Sequence, residues 1–288
     1  MSRSEVLPLT LAQALTALQT AGLERLDAQL LLLHVLGQAP NQRGWLLAHD
    51  TSVLPAKLAS ELHQLAQRRL AGEPLAYLSG HKEFFGLDLQ VDARVLVPRP
   101  DTETLVHWAL ELLHSSQRVL DLGTGSGAIA LALKASQPAL QVHAIDLSAD
   151  ALHVAQANAQ RLQLAVTFGQ GAWFDGLTCD YAPFDCIVSN PPYIAANDPH
   201  LAALTFEPTQ ALTSGAEGLD DIRHIIAQAP KHLAADGWLL LEHGYDQAPA
   251  VRQLLRQAGF AHVQSKLDLA GIERCSGGQC LVSSIDHT

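Results

Sequence analysis

A chain of 288 residues is long enough for two domains or one large one, and its 48% hydrophobic and 16% charged residues describe a packed globular core rather than a disordered chain. Its formal net charge of −11 argues against a broad surface for the phosphate backbone of nucleic acid, which needs concentrated Lys and Arg. No internal repeat or low-complexity stretch is visible, which weighs against solenoids and arrays.

The first quarter reads as helices alone. Thr10 suits the cap of a helix over Leu11 to Thr20, stopped by Gly22, and Asp27 suits the cap of one over Ala28 to Leu36, stopped by Gly37. Pro55 occupies a first helical position for a run through Arg69, with Leu58, Leu62 and Leu65 at helical spacing and Gly72 and Pro74 as stop signals. The expectation is a small helical bundle over residues 1–78. Residues 79–97 then read as a β-hairpin linker. Phe84 to Val91 alternates in part, and Asp92-Ala93-Arg94 can turn the chain into Val95-Leu96-Val97. His81, Lys82 and Glu83 are expected on the hairpin surface. Pro98-Arg99-Pro100 ends the hairpin, and Asp101 or Thr102 can cap a helix over Glu103 to Leu113.

Residues 98–288 form the remaining domain. Candidate strands are Arg118 to Leu122, Gln141 to Asp146, Val166 to Gly169, Phe184 to Ser189, Trp238 to Glu242, His262 to Asp268 and Arg274 to Val282, with helical patterns between most of them. Such alternation predicts an α/β fold: a Rossmann-like, seven-stranded, mainly parallel sheet covered on both faces. The last two strands lack an intervening helix and are expected to form a C-terminal antiparallel hairpin.

The four cysteines, Cys179, Cys186, Cys275 and Cys280, form no CxxC pair and lie in or beside apolar runs, as reduced thiols of a cytosolic protein do. The 14 histidines show no zinc-ligand spacing, so no metal is expected. No signal-peptide pattern and no apolar run of membrane-spanning length is present; Leu30 to Leu33 is too short and sits in a helical segment. A cytoplasmic protein without membrane contact is expected. No long heptad seam appears, and a monomer is expected.

Two motifs carry chemistry. The first strand of the α/β region runs into Gly123-Thr124-Gly125-Ser126-Gly127, followed by the helical Ala128 to Leu133. Glycines let a ligand approach the backbone, and the following helix offers unpaired N–H groups. The next strand ends at Asp146, where a carboxylate can accept two ribose hydroxyls. Together they suggest a nucleoside cofactor across the carboxyl edge of the sheet. Alone, the loop is weak evidence and can read as a tight strand-to-helix turn, and Asp146 as a neighbour of the helix cap Ser148. The loop lacks the Lys and hydroxyl of a nucleoside-triphosphate loop, and its GxGxG spacing departs from the dinucleotide GxGxxG. The second motif is Asn190-Pro191-Pro192-Tyr193, directly after an apolar strand. The prolines fix two φ angles and donate no hydrogen bonds. Their carbonyls and the Asn190 side-chain oxygen are left to grip a target –NH₂, with the Tyr193 ring against its plane.

With these residues, and with Glu73-Pro74-Leu75-Ala76-Tyr77, Val97-Pro98-Arg99-Pro100-Asp101-Thr102-Glu103 and Leu241-Glu242-His243-Gly244, the chain resembles class I S-adenosylmethionine-dependent methyltransferases. More narrowly, it resembles the HemK/PrmC family, protein-glutamine N5-methyltransferases of peptide chain release factors, over nearly its whole length. The resemblance implies that Gly123, Thr124, Gly125, Ser126 and Gly127 hold the methionyl part of S-adenosylmethionine, Asp146 its ribose and Trp173 its adenine. It implies that Asn190 borders cofactor and target, that Asn190, Pro191, Pro192 and Tyr193 grip the glutamine of a Gly-Gly-Gln loop in a class I release factor, and that S-adenosylhomocysteine is the product. Ala172 departs from the acidic residue common before this Trp. Trp173 also reads as a core aromatic. Arg99 and Glu103 are expected to shape the pocket without a chemical step, and the N-terminal helices to recognise the protein substrate.

Two other readings stand beside this one. Similar turns serve adenine-N6 methyltransferases on flipped bases, against which stand the charge of −11 and the lack of a basic segment. A non-catalytic scaffold on the same fold is a third reading, opposed by the intact Asn190, Asp146 and glycine loop. Gly277-Gly278-Gln279 repeats the target tripeptide within the chain; pocket mimicry or self-methylation is set against a buried final strand in which glycines mark a bulge. Glu242 and His243 are adjacent on a predicted strand and should face opposite sides, so no shared acid–base site is expected. Glu207-Pro208 reads either as an ordered loop facing substrate or as a solvated connector.

Overall fold

The computed structural model describes residues 9–177 and 181–281. They divide into two compact units, one up to Gly80 and the other from His81 onward.

In the first unit, α1 (Leu11–Thr20) is closed by a capping box, with Thr10 Oγ1 accepting from the Gln13 N–H at 3.3 Å and Gln13 Oε1 accepting from the Thr10 N–H at 2.9 Å. Helix α2 (Arg25–Val35) starts earlier than expected, with Glu24 at the cap position. Asp27 is not the cap: its carboxylate accepts from Arg69 Nε at 2.6 Å, so a distant guanidinium takes the oxygen that a helix end would have used. Helix α3 (Arg43–Ala48) was not expected; the Trp45 ring stacks on His49 at 4.0 Å between centroids. Helix α4 (Ala56–Leu70) has Pro55 at its cap position rather than inside its first turn, and α5 (Leu75–Ser79) ends at Gly80. Helix α2 touches each of the other four. Its Leu31, Leu32 and Leu33 are therefore all buried, which explains an apolar run wider than one amphipathic stripe.

The second unit opens with a hairpin of β1 (His81–Phe84) and β2 (Leu87–Gln90). The hairpin is displaced from the expected position. Its reversal is Phe85-Gly86, with φ of 51° and 77°, the two positive values that a tight two-residue turn with strand-like twist requires. Val95 and Val97 lie in no strand and are buried instead. A 3₁₀ turn, Pro100–Thr102, leads into α6 (Glu103–Leu112). There follow β3 (Arg118–Leu122), α7 (Ala128–Ser136), β4 (Gln141–Asp146), α8 (Ala149–Leu162), β5 (Thr167–Gln170), β6 (Phe184–Ser189), α9 (Asp220–Gln228), β7 (Leu233–Glu242), α10 (Ala248–Gln257), β8 (Ala261–Leu267) and β9 (Glu273–Gln279).

The seven strands lie in the order β5-β4-β3-β6-β7-β9-β8, parallel from β5 to β7 and antiparallel at β7/β9 and β8/β9. Leu120, Leu122, Ile187, Leu239 and Leu241 pack on one face with Ile222, Ile225 and Ile226 of α9 and Val251 and Leu255 of α10. The alternate residues Val119, Val188 and Leu240 are equally buried, so both faces are covered, as the apolar strands require. Chain order reverses between β3 and β6. Leu122 is level with Ile145 of β4 and Ser189 of β6, so the glycine loop, Asp146 and Asn190 all leave the sheet at one edge, at its switch point.

Gly277-Gly278-Gln279 lies on β9 between β7 and β8. The register irregularity facing these glycines lies on β8, between Ala261 and Gln264, where His262 has φ of 50°; the glycines oppose that bulge rather than form it. Gln279 Nε2 donates to the Asp236 carbonyl at 2.9 Å. Cys186 and Cys275 are buried free thiols and Cys280 a partly buried one; Cys179 and Val282, the expected end of the last strand, lie outside the described residues. Among the described residues no helix is long and apolar enough to cross a membrane, and no group of His, Cys, Asp or Glu could hold a metal ion.

Candidate functional site

A cavity opens at the carboxyl edge of the sheet, over the switch point. Gly123, Gly125, Asp146 and Trp173 line one part of it, Asn190 and Pro192 another. Gly123, Gly125 and Gly127 have positive φ, and the Gly123 and Thr124 N–H groups donate to the Ile145 carbonyl at 2.8 and 3.0 Å, which folds the loop over the end of β4. A Cβ at Gly123 would come 3.4 Å from the Trp173 ring, so the indole lies close against the glycine loop. Thr124, Ser126 and Gly127 lie outside the lining. The Thr124 hydroxyl donates to Asp121 Oδ2 at 2.6 Å, and the Ser126 carbonyl accepts from Asn158 Nδ2 at 3.0 Å. These two residues shape the loop from behind.

Asp146 Oδ2 accepts from the Gly125 N–H at 2.8 Å and Oδ1 from the Ser148 N–H at 2.9 Å. The carboxylate lines the cavity, where its remaining acceptor capacity is available to a ligand. Burial raises the Asp146 pKa, opposed by these N–H bonds. Ser148 itself caps α8, accepting from the Ala151 N–H. Trp173 meets the cavity and also packs against the core, from a backbone with φ of 51° at the start of a 3₁₀ turn.

Asn190 Nδ2 donates to Thr102 Oγ1 at 3.2 Å, while Asn190 Oδ1 is buried without a partner. Pro191 and Tyr193 lie outside the lining. The Tyr193 hydroxyl donates to Glu242 Oε1 at 3.3 Å, and its backbone carbonyl accepts from Gln247 Nε2 at 3.0 Å. Burial pushes the Tyr193 pKa up, with the Glu242 charge adding, so the phenol stays protonated. Burial also raises Glu242, at the end of β7, to about 7. His243 faces elsewhere: Nδ1–H donates to the Gly244 carbonyl at 2.9 Å, and Nε2 pairs with Ser276 Oγ at 2.7 Å.

The Pro-Arg-Pro-Asp-Thr-Glu segment frames this corner. Arg99 pairs with Glu207, whose other oxygen accepts from the Val97 N–H at 3.1 Å. Glu207 is therefore an ordered anchor and not a solvated connector; Pro208 beside it reaches the cavity. Glu103 Oε1 accepts from the Phe85 N–H at 3.1 Å, and Asp101 pairs with Arg274 at 3.3 Å. Thr102 occupies the cap position of α6 but makes no side-chain cap bond: its backbone is helical, and its hydroxyl meets Asn190 instead.

Sequence reasoning missed Thr102, Glu242, Arg94 and Asp221 as parts of this site. The last two line the cavity, and Arg94 is held by Asp92 at 2.6 Å. It also passed over Asp121, which is fully buried, raised to about 7 by that burial, and unpartnered at Oδ1. The available signal was a carboxylate inside an otherwise apolar strand, Val119-Leu120-Asp121-Leu122, which needs a local purpose.

The "Methyltransferase small domain" family model matches residues 101–266, and the "PrmC N-terminal domain" model matches residues 10–80. The chain is 52% identical over 261 residues to a release factor glutamine methyltransferase of Bordetella pertussis, covering 89% of this chain and 95% of that one. It is 48% identical to a release factor glutamine methyltransferase of Xylella fastidiosa, covering 93% and 97% of the two chains. Among solved structures, a methyltransferase from Pyrococcus furiosus shares the fold with a TM-score of 0.55 and 18% identity, over 75% of this chain and 98% of that one. A helical N-terminal unit, a seven-stranded sheet with an antiparallel end, and relatives matched over nearly their whole length place the chain in the HemK/PrmC family of release factor glutamine methyltransferases.

Proposed function

We propose that this protein methylates the side-chain nitrogen N5 of the glutamine in the Gly-Gly-Gln loop of class I peptide chain release factors, with S-adenosylmethionine as donor, and so modulates translation termination. The observation that carries this reading is Asn190, which lines the cavity with Gly123 and Trp173 and whose Oδ1 is buried without a partner. A buried lone acceptor costs about 1–3 kcal/mol unless a ligand satisfies it. A carboxamide –NH₂ satisfies it.

The residues fit an S-adenosyl group. Gly123, Asp146 and Trp173 line one cavity, which brings together a close-approach glycine, a carboxylate for hydroxyls and an aromatic ring. Trp173 would cover the adenine, Asp146 would hold the ribose, and the Gly123 to Gly127 loop would hold the methionyl part. When bound, S-adenosylmethionine supplies a methyl group on a positively charged sulfur and leaves as S-adenosylhomocysteine.

An amide nitrogen is a poor nucleophile because its lone pair is shared with its carbonyl. Asn190 Oδ1 and the Pro191 carbonyl would accept its two hydrogens, fixing its orientation and favouring density at nitrogen. With the donor bound, the nitrogen pair would form the new N–C bond, the old C–S pair would stay with sulfur, and the spare amide proton would pass to water. No strong base is needed. Tyr193 would pack on the amide plane while its hydroxyl remains on Glu242. The partner is a protein: a net charge of −11 supports that over nucleic acid, and we assign recognition to the N-terminal helical unit. In this reading the enzyme acts in the cytoplasm, as a monomer, and without a metal.

Asn190→Ala should abolish methyl transfer to a release factor in a radiolabel assay while S-adenosylmethionine binding weakens only modestly. Turnover equal to the unmodified enzyme would refute the role of Asn190.

A further inference from the structure

We propose that Gln247 is a positioning residue for methyl transfer: its side-chain amide clamps the Tyr193 carbonyl and so holds the carboxyl end of the Asn-Pro-Pro-Tyr corner in place. This rests on reading that corner as the grip on the substrate amide.

The corner needs an anchor that its own prolines do not supply. Pro191 and Pro192 have no N–H to donate, so their backbone can be hydrogen-bonded only through its carbonyls. The amino end of the corner continues β6, whose Ser189 is paired with Leu122 and Leu241 of the neighbouring strands. The carboxyl end has left the sheet. There the Tyr193 carbonyl accepts from Gln247 Nε2 at 3.0 Å. The next residue, Ile194, is tied on both sides: its N–H donates to the Leu212 carbonyl at 2.9 Å, and its carbonyl accepts from the Ser214 N–H at 3.0 Å.

Gln247 suits this task because its partners dictate the orientation of its amide. Oε1 accepts from the Gly244 N–H at 2.8 Å, and a backbone N–H can only donate. Nε2 is thereby turned to the carbonyls of Tyr193, Glu217 and Gly218, at 3.0, 3.3 and 3.3 Å, which can only accept. Backbone groups from three separate stretches of chain so meet on one side chain. The Gln247 backbone is itself fixed at the start of α10: its N–H donates to the Gly244 carbonyl at 3.1 Å, and its carbonyl accepts from the Val251 N–H at 3.0 Å. Close approach of the three stretches depends on Gly218, which has φ of 72° and where a Cβ would collide with the Tyr193 carbonyl oxygen. Gln247 lies outside the cavity lining, so its effect on the reaction runs through the corner it holds.

The test is steady-state kinetics on a purified release factor with Gln247→Glu, Gln247→Met and Gly218→Ala, beside calorimetric affinity for S-adenosylmethionine. Glutamate keeps an acceptor for the Gly244 N–H and puts a second acceptor, in place of the donor, against the three carbonyls; methionine keeps the length of the side chain and lacks both functions. Gly218→Ala pushes on the same Tyr193 carbonyl from the other side. Each variant should lower kcat on the order of ten- to a hundredfold, the range of a misplacement of about 1 Å at the reacting atoms, with cofactor affinity unchanged within about threefold. If Gln247 merely tied the turn before α10 through Gly244, Gln247→Glu would keep kcat within about threefold of the unmodified enzyme, and that result would overturn the proposal. A loss confined to cofactor affinity would overturn it as well. Should Gly218→Ala or Gln247→Glu fail to fold, Gln247→Met decides, and unimpaired kcat in that variant counts against the clamp. An active Asn190→Ala enzyme would remove the reading of the site itself, whereas an inactive Asn190→Ala beside fully active Gln247 variants would remove only the clamp.

Discussion

Trp173 and Asn190 face one cavity with different duties, and their substitutions should separate. Trp173 offers a flat apolar face, whose loss in Trp173→Ala should weaken S-adenosylmethionine binding by about tenfold, since an aromatic stacking partner contributes about 0.5–1.5 kcal/mol beyond its buried area. Calorimetry should show this, with kcat at saturating cofactor little changed; unaltered affinity would reduce Trp173 to a core aromatic. Of the residues singled out in the sequence, Gly123, Gly125, Asp146, Trp173, Asn190 and Pro192 line the cavity, and each stands in or beside a short motif at a strand end. Residues whose meaning lies in a distant partner were not legible. Thr102 and Asp27 both have cap-forming side chains, yet Asn190 and Arg69 engage them. Glu207 anchors a backbone N–H 110 residues away, at Val97, which no local pattern announces. Tyr193 was expected at the target amide, and its hydroxyl is directed to Glu242.

Elements were legible where local signals agreed with tertiary need. Helix α1 has both halves of a capping box in its sequence, and the box forms. Thr10→Ala should therefore cost about 1 kcal/mol, seen as a lower urea midpoint for unfolding of the N-terminal helices; an unchanged midpoint would mean the cap is redundant. The hairpin was recognised but displaced, because Asp92-Ala93-Arg94 carries stronger turn composition than Phe85-Gly86, and Phe85 adopts a positive φ that its type disfavours. Strand β7 begins at Leu233, before the expected Trp238, since Gly237 and the left-handed Asp236 concealed its start. On β9, the Gly277-Gly278-Gln279 tripeptide is spent on pairing with two neighbours, and Gln279 is bonded to Asp236. Intact-mass and peptide mapping after incubation with S-adenosylmethionine should find Gln279 unmodified; a methyl there would contradict the argument from strand pairing.

For the whole molecule, the alternation of strand and helix sufficed to read the sheet, and its switch point brings three separate stretches to one edge. The buried ionisable groups make stability depend on pH. Asp121 and Glu242 are raised from ordinary carboxyl values of 3.8 and 4.5 to about 7 by burial, so the folded state binds more protons than the unfolded one between those values. Their contribution is fully present below pH of about 4 and is lost as pH rises through about 7. His243, lowered below 6.5 by burial, acts with the opposite sign: stability falls as pH drops below 6.5. Asp121→Asn should flatten the decline between pH 4 and 7 in urea unfolding; an unchanged slope would show that Asp121 does not carry it.

The central claim is that the Asn190 corner delivers a methyl to a glutamine side chain. It is tested most directly by incubating the purified enzyme with a class I release factor and methyl-labelled S-adenosylmethionine, then mapping the label by tandem mass spectrometry, with DNA and RNA as parallel acceptors. The account predicts one methyl on the side-chain nitrogen of the Gly-Gly-Gln glutamine, absent with Asn190→Ala. A release factor left unlabelled while an adenine of nucleic acid carries the methyl would contradict it.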